Sequence, residues 1–265
     1  MQTFRENEQE KARTADLLQL LPRGRTSVLD IGARDGHFSR LLTEFFDQVT
    51  ALDLQTPSFH YARVTKVAGD VTNLRFPDSS FDCVFCTEVL EHVPDLDKAC
   101  REIVRVSRHE IVIGVPLRQD IRLGRTTCQS CGGINPPWGH VNTFDEARLT
   151  RLFGGLQLKK KSFVPNSLAA TNALAVKLMD LAGNPWGTYD QQEPCIHCGR
   201  GLVPPPRRSF WSRVCSGVAV RLNNAQARIV PTQGSWVHLL FSKDQAASAP
   251  LPVSLSRWRN TSRAS

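Results

Sequence analysis

SVLDIGARDGHFSRLL, residues 27–42, passes from an apolar strand into Asp30, through a glycine-rich turn, and into an amphipathic helix beginning near His37. A strand joined to a helix by such a loop leaves backbone N–H groups and the positive helix end free for a ligand. Gly32 and Gly36 let the backbone approach that ligand more closely than any Cβ allows. A tight βα turn needs the same glycines with nothing bound, so the stretch sets a local fold and offers a site without proving one.

Reading outward, residues 49–53 (VTALD) form a second short strand ending in an acid, Asp53, 23 residues after Asp30. In doubly wound sheets an acid about 20 residues past the glycine loop accepts from both hydroxyls of a ribose. Gly69-Asp70-Val71 follows a short strand at Val64–Ala68. Residues 81–86 (FDCVFC) form a buried strand that runs into Thr87-Glu88-Val89-Leu90-Glu91-His92-Val93-Pro94-Asp95.

Residues 5–21 read as a helix that caps the sheet, with Leu17, Leu18, Leu20 and Leu21 inward and Pro22 as its stop. Phe38, Leu41, Leu42, Phe45 and Phe46 recur at helical spacing, as do Leu96, Ile103 and Val104 within a helix over Leu96–Val106. Residues 110–116 form a fifth strand, 156–164 a sixth, and 236–242 an antiparallel seventh.

Strands alternating with helices through short connections imply an α/β fold, a doubly wound Rossmann-like sheet of seven strands with right-handed crossovers. Ligands in such sheets bind beyond the carboxyl ends of the strands. Asp30, Asp53, Asp70 and Glu88 all fall at strand ends on that edge, which makes them one candidate site. The expected organisation is a capping helix over 1–22, a core over 23–126, a lid and substrate region over 127–235 that includes the sixth strand, a last strand over 236–244, and a disordered tail over 245–265. That tail is rich in Ala, Ser, Pro and Arg and has little to bury.

At 265 residues, 41% hydrophobic and 22% charged, the chain can bury a sizeable core. It has no apolar run long enough to cross a membrane and its first residues carry no signal pattern, so the expected compartment is the cytoplasm. The net charge of +8 is concentrated in Arg200, Arg207, Arg208, Arg213, Arg221 and Arg228, with no acid between them. Phe210, Trp211, Val214, Val218 and Leu222 place an amphipathic helix in that segment. It is either a solvated face docked on its own domain or a contact, through 209–228, with a membrane surface, a phosphate-bearing ligand or a protein.

Eight cysteines are many for a reducing compartment unless some bind metal. Cys128-x-x-Cys131 and Cys195-x-x-Cys198 are each followed at once by glycine, the mark of a metal knuckle. Together they predict a closed, structural zinc site with four cysteine ligands, in which His197 could replace one cysteine. The 63 intervening residues exceed the usual ribbon spacing, so this zinc would staple two separate loops, after strand five and between strands six and seven, into a lid at the ligand edge. Cys83 and Cys86 have the same spacing, but residues three apart on a strand point to opposite faces and cannot share an ion. They read as core residues, as do Cys100 and Cys215 on helices.

The ordered set DIGxxxG, LD, GD and FDxVxxxEVLEHVPD resembles class I S-adenosylmethionine-dependent methyltransferases, specifically the type 11 group, over roughly residues 25–155. The resemblance implies methyl transfer from S-adenosylmethionine, with Asp30 and Gly32 at the methionine end, Gly36 also in the cofactor loop, Asp53 on the ribose, Asp70 and Val71 on the adenine, and Glu88 near the amino-acid part. The family usually has glycine where this chain has Arg34. If that position requires a positive φ, arginine there is strained by about 1–2 kcal/mol. His92 and His140, the latter in a segment similar to the family's GH-x-x-x-F, are the candidate catalytic bases. Helix-start hydrogen bonding is the plainer role for His92.

Glu88, Glu91, His92 and His140 are also similar to the metal-assisted set of ubiquinone-pathway O-methyltransferases and small-RNA 2′-O-methyltransferases, where a divalent ion holds vicinal oxygens. The expected acceptor is a small molecule, most simply a hydroxyl of a sugar or secondary metabolite. An RNA 2′-O acceptor and a catalytically silent zinc-containing binding module are the competing readings.

Overall fold

The computed structural model describes residues 7–165, 170–205, 209–229 and 235–243. Helix α1 (Glu8–Leu20) precedes β1 (Ser27–Ile31), α2 (His37–Leu42), β2 (Gln48–Asp53), β3 (Val64–Ala68) and β4 (Phe81–Thr87). A 3-10 turn (Leu90–His92), α3 (Leu96–Val106) and β5 (Ser107–Leu117) complete the nucleotide-binding-type half. The remainder holds a small ribbon of β6 (Thr126–Thr127) and β7 (Ile134–Asn135), then α4 (Glu146–Leu152), β8 (Gln157–Pro165), α5 (Ala173–Leu181), α6 (Phe210–Ile229) and β9 (Ser235–Ser242).

The main sheet has seven strands in the order β3-β2-β1-β4-β5-β9-β8. β1 to β5 run parallel, and β9 is antiparallel to both β5 and β8. Strand order reverses between β1 and β4, the place where such sheets open a crevice for ligand. Every residue of the central β4 is buried. Its alternation splits the two internal cysteines as expected: Cys83 and Phe85 join the core under α1, and Val84 and Cys86 join the core under α3.

α1 is held by both oil and charge. Leu17, Leu20 and Leu21 are buried against the sheet, and Leu18 is partly so. Arg13 is 1% exposed and donates to Glu10 Oε2 at 2.7 Å and to Glu88 Oε2 at 3.1 Å, with its guanidinium over the Trp236 ring. One turn on, Asp16 Oδ2 pairs with His238 Nδ1 of β9 at 2.6 Å and accepts from Ser162 of β8. The helix is therefore pinned to β4, β8 and β9 beside the ligand edge. Arg13→Ala leaves two acids without their cation and is expected to lower stability by about 3 kcal/mol. Urea unfolding measures this, and a loss near zero would refute the pin.

Several boundaries differ from the sequence reading. α2 stops at Leu42, and Phe45 and Phe46 lie in the turns that follow, bonded back to Leu42. β5 starts three residues earlier than Glu110, directly from α3. α5 begins at Ala173, and residues 166–169 lie outside the description. Cys215 is half-exposed on α6 and is not a core residue. The expected tail over 245–265 lies outside the described residues. Among the described residues no helix is long and apolar enough to cross a membrane.

Candidate active site and cysteine centre

The turn after β1 is shaped by positive φ. Gly32 has φ +79°, and a Cβ there would come within 2.3 Å of Val89 Cγ2. Gly36, at φ +75°, would collide with the Phe59 ring. Between them Arg34 has φ +44°, the left-handed region that disfavours arginine. Gly32 and Ala33 N–H both donate to Leu52 O, and Arg34 N–H donates to Asp53 Oδ2 at 2.9 Å, so the loop is sewn to the end of β2. Leu54 N–H holds the other oxygen, Oδ1, at 2.7 Å. Each Asp53 oxygen keeps a second lone pair, which is the arrangement two vicinal hydroxyls require.

Asp30 sits one layer lower. It is 3% exposed, accepts from Ser39 Oγ at 2.5 Å, and is pushed up to about 7 by burial, with Asp53 and Asp35 adding to the shift. Its carboxyl is committed to α2, so Asp30 supports the loop from beneath. Asp70 is exposed just past β3, with Thr72 N–H on Oδ1 at 2.8 Å. Val71 is 6% exposed and packs in the core with Leu52 and Leu74. Glu88 follows β4 with φ +58°, its N–H on Gly114 O and its carboxylate on Arg13.

Next to Glu88 lies a second cluster. Glu91, His92 and His140 each place a ligand atom within 4.8 Å of the others. Glu91 is 1% exposed, and neither carboxylate oxygen has a partner among the described residues. Burial, reinforced by Glu88, pushes it up to about 8. Burial also lowers both imidazoles, His140 to about 3 with His92 adding to the effect, so both rings are neutral at pH 7. Gln119 Oε1 lies 2.6 Å from His140 Nδ1. A neutral ring donates from Nδ1 there and keeps Nε2 as a lone pair. Asn142 steadies the turn by donating to Leu90 O and Val93 O, and Glu91 O accepts from Val141 and Asn142 N–H. Glu88 is not in this cluster, because Arg13 occupies it. The expected four-residue set is therefore three.

The four remaining cysteines converge. Cys128, Cys131, Cys195 and Cys198 Sγ atoms all lie within 4.8 Å of one another, and Cys128–Cys198 and Cys131–Cys195 are each 3.7 Å apart. A tetrahedral zinc with bonds of about 2.3 Å has sulfur–sulfur edges of about 3.8 Å. The two knuckles repeat one backbone pattern: Cys128 N–H to Gly133 O and Gly132 N–H to Cys128 O, then Cys195 N–H to Arg200 O and Gly199 N–H to Cys195 O. Gly132 and Gly199 take φ +73° and +70°, as the turn demands. The N–H groups of Cys131 and Ser130 hold the Cys128 thiol below its ordinary range. His197 faces elsewhere, to Ile134 O at 3.0 Å, and is not a member of the cluster.

The cysteine centre reaches the ligand edge through Glu193, two residues before Cys195. Glu193 Oε1 meets Arg34 Nη2 at 3.2 Å, and Gln191 Oε1 accepts from Trp138 N–H at 2.7 Å. The odd arginine of the glycine loop thus meets the segment that leads into the second cysteine pair. Arg13, Gln119, Asn142 and Glu193 escaped the sequence reading, since nothing in their local pattern signals a partner 21 to 159 residues away.

Residues 29–111 match the model of a family described as a methyltransferase domain. Sterol 24-C-methyltransferase of Aspergillus fumigatus is 33% identical over 33% of this chain and 26% of its own length. Malonyl-[acyl-carrier protein] O-methyltransferase of Pectobacterium atrosepticum is 36% identical over 35% of this chain and 39% of its own. The chain thus spans between a quarter and two-fifths of the length of these curated relatives. The YcgJ protein of Bacillus subtilis has a similar fold, with TM-score 0.52 and 15% identity over 88% of this chain and 98% of that one.

Proposed function

We propose that this chain, built around the methyltransferase-domain match over 29–111, is an S-adenosylmethionine-dependent methyltransferase that methylates a hydroxyl of a small molecule. The observation that carries the reading is the convergence of Gly32, Asp53, Asp70 and Glu88 on the carboxyl edge at the β1–β4 reversal. These residues fit the donor: a loop with no Cβ at Gly32, a carboxylate with two free lone pairs, and acids at successive strand ends. S-adenosylmethionine supplies an electrophilic methyl group on a sulfonium.

Asp53 accepts the ribose hydroxyls, Asp70 stands at the adenine end, and Glu88, held by Arg13, faces the amino-acid part. Aligning donor and acceptor at this edge is the main task of the reaction, and positioning of this kind is worth about 7–11 kcal/mol in a displacement. Titration of the protein with S-adenosylhomocysteine tests the reading. Micromolar binding supports it. No binding by folded protein would leave the zinc-containing binding module as the function.

The hydroxyl preference rests on Glu91, His92 and His140. Two orphaned carboxylate oxygens beside two neutral imidazoles fit a divalent ion, which would lower the pKa of an oxygen acceptor. Without an ion, the same neutral imidazoles are the groups able to take the hydroxyl proton. An RNA 2′-hydroxyl offers the cluster the same chemistry, and steeply salt-dependent RNA binding would favour that acceptor. Cys128, Cys131, Cys195 and Cys198 would hold the structural zinc.

Glu91 gives this cluster a pH signature. Its proton leaves the unfolded chain near pH 4.5 and the folded one only near pH 8. Its contribution to stability is therefore full below pH 4.5 and is lost as pH rises towards 8. Glu91→Gln is expected to stabilise the metal-free protein at pH 8 by a few kcal/mol, and manganese should then raise the midpoint of the parent but not of the variant. Equal midpoints for parent and variant across this range would remove the buried-acid account.

A further inference from the structure

α6 turns to the protein a face about a third of a turn round the helix from the apolar one its sequence suggests. Its buried residues are Ser216 and Ala219, and its inward contacts are polar: Asn223 with Thr171, Gln226 with Asn172, and Ser212 Oγ on Ala182 O. The apolar residues Trp211, Val214, Val218, Leu222, Ala225 and Ile229 recur at spacings of three and four, one stripe of a helix. All of these but the half-buried Leu222 are exposed. Phe210 and Trp211 are each 72% exposed, and Ile229 at the far end is 82% exposed. A twenty-residue helix makes the stripe about 30 Å long.

Charge completes the pattern. At 100° per residue, Arg221 and Arg228 border one side of the stripe and Arg213 lies farther round. All three are exposed, and none has a carboxylate partner among the described residues. The sequence has no acid anywhere from 194 to 243. We propose that α6 docks in the plane of an anionic bilayer surface, with its stripe in the headgroup–acyl boundary and its arginines on lipid phosphates.

A second copy of this chain would satisfy the stripe but not the charge. Pairing the helix with a second copy of itself would offer its arginines no neutralising group, because neither helix carries an acid. Anionic headgroups supply that complement, and arginine stems can lie along the apolar edge while their heads reach the phosphates. The docked surface would also be tied to the lid. Asn184 Nδ2 donates to Thr127 Oγ1, and Arg125 pairs with Asp180 at the end of α5, so the α5–α6 hairpin and the β6 knuckle are joined. The inference does not depend on the methyl-transfer reading.

Flotation of the full chain with vesicles of phosphatidylcholine alone, or mixed with phosphatidylglycerol, tests it. Binding is expected to the mixed vesicles only, and to fall steeply with salt. Phe210→Ser with Trp211→Ser should reduce partitioning by about tenfold or more. Arg221→Gln with Arg228→Gln should reduce it by about 25-fold at low salt. Both pairs are surface changes, so thermal midpoints should stay at the parent value. Equal binding of parent and variants, binding indifferent to phosphatidylglycerol, or no binding at all would each overturn the proposal. So would a lipid-free dimer that becomes monomeric in the aromatic variant.

Discussion

Asp53→Ala is expected to weaken S-adenosylhomocysteine binding by about 100-fold while leaving the zinc content unchanged. Two hydrogen bonds from ribose hydroxyls to an ionised carboxylate are worth about 1.5–3 kcal/mol each, and losing both gives at least that factor. The residue also holds Arg34 N–H and Leu54 N–H, so the variant tests the loop as well as the ligand contact. Asp53→Asn separates the two effects. One amide oxygen still accepts, so it should keep one of the two loop bonds and recover part of the affinity. Titration calorimetry reads both. Unchanged affinity in Asp53→Ala would move the donor away from the β2 edge.

Cys195→Ser should remove one zinc per chain and unfold the lid while the sheet survives. The two loops that carry these cysteines have almost no oil of their own: their separate apolar cluster consists of Cys128, Cys195 and Leu202, with Tyr189 against it. Two of those three buried residues are proposed metal ligands. Small domains of this kind draw about 10 kcal/mol or more from structural zinc, so losing a ligand removes most of what orders them. Limited proteolysis should then cut within residues 128–135 and 188–202 while β8 stays protected in the sheet, and elemental analysis should find no zinc. A metal-free parent with an intact, protease-resistant lid would refute the staple. Loss of the lid also frees Arg34 from Glu193, so donor binding should weaken in the variant although no donor contact is altered.

The parallel half of the fold was legible because its signals are local. Alternating apolar strands, a Gly-rich turn and acids at strand ends each act within a few residues, and a sheet with β4 buried on both faces needs the apolar run that 83–86 supplies. The two knuckles were legible for the same reason, since a C-x-x-C-G turn closes on itself. Their partnership across 63 residues was inferred from chemistry: four thiols and one tetrahedral ion.

Other features depend on where distant segments meet. Nothing near Glu88 announces that Arg13 will occupy its carboxylate, which takes it out of the cluster expected with Glu91, His92 and His140. Arg34 looked like a defect in the glycine loop until Glu193 met its guanidinium. The apolar face of α6 was visible as periodicity, but its outward orientation was not. Periodicity identifies a face and its width, whereas the packing of Asn223 on Thr171 and Gln226 on Asn172 decides which side is covered. The order of residues was therefore enough to dictate the elements, their succession and the residue types at the sheet edge, because backbone geometry and hydrophobic period are local properties. Which charges neutralise one another, and which apolar face stays open, was settled by the packed chain alone, because those depend on contacts between segments that the chain order does not constrain.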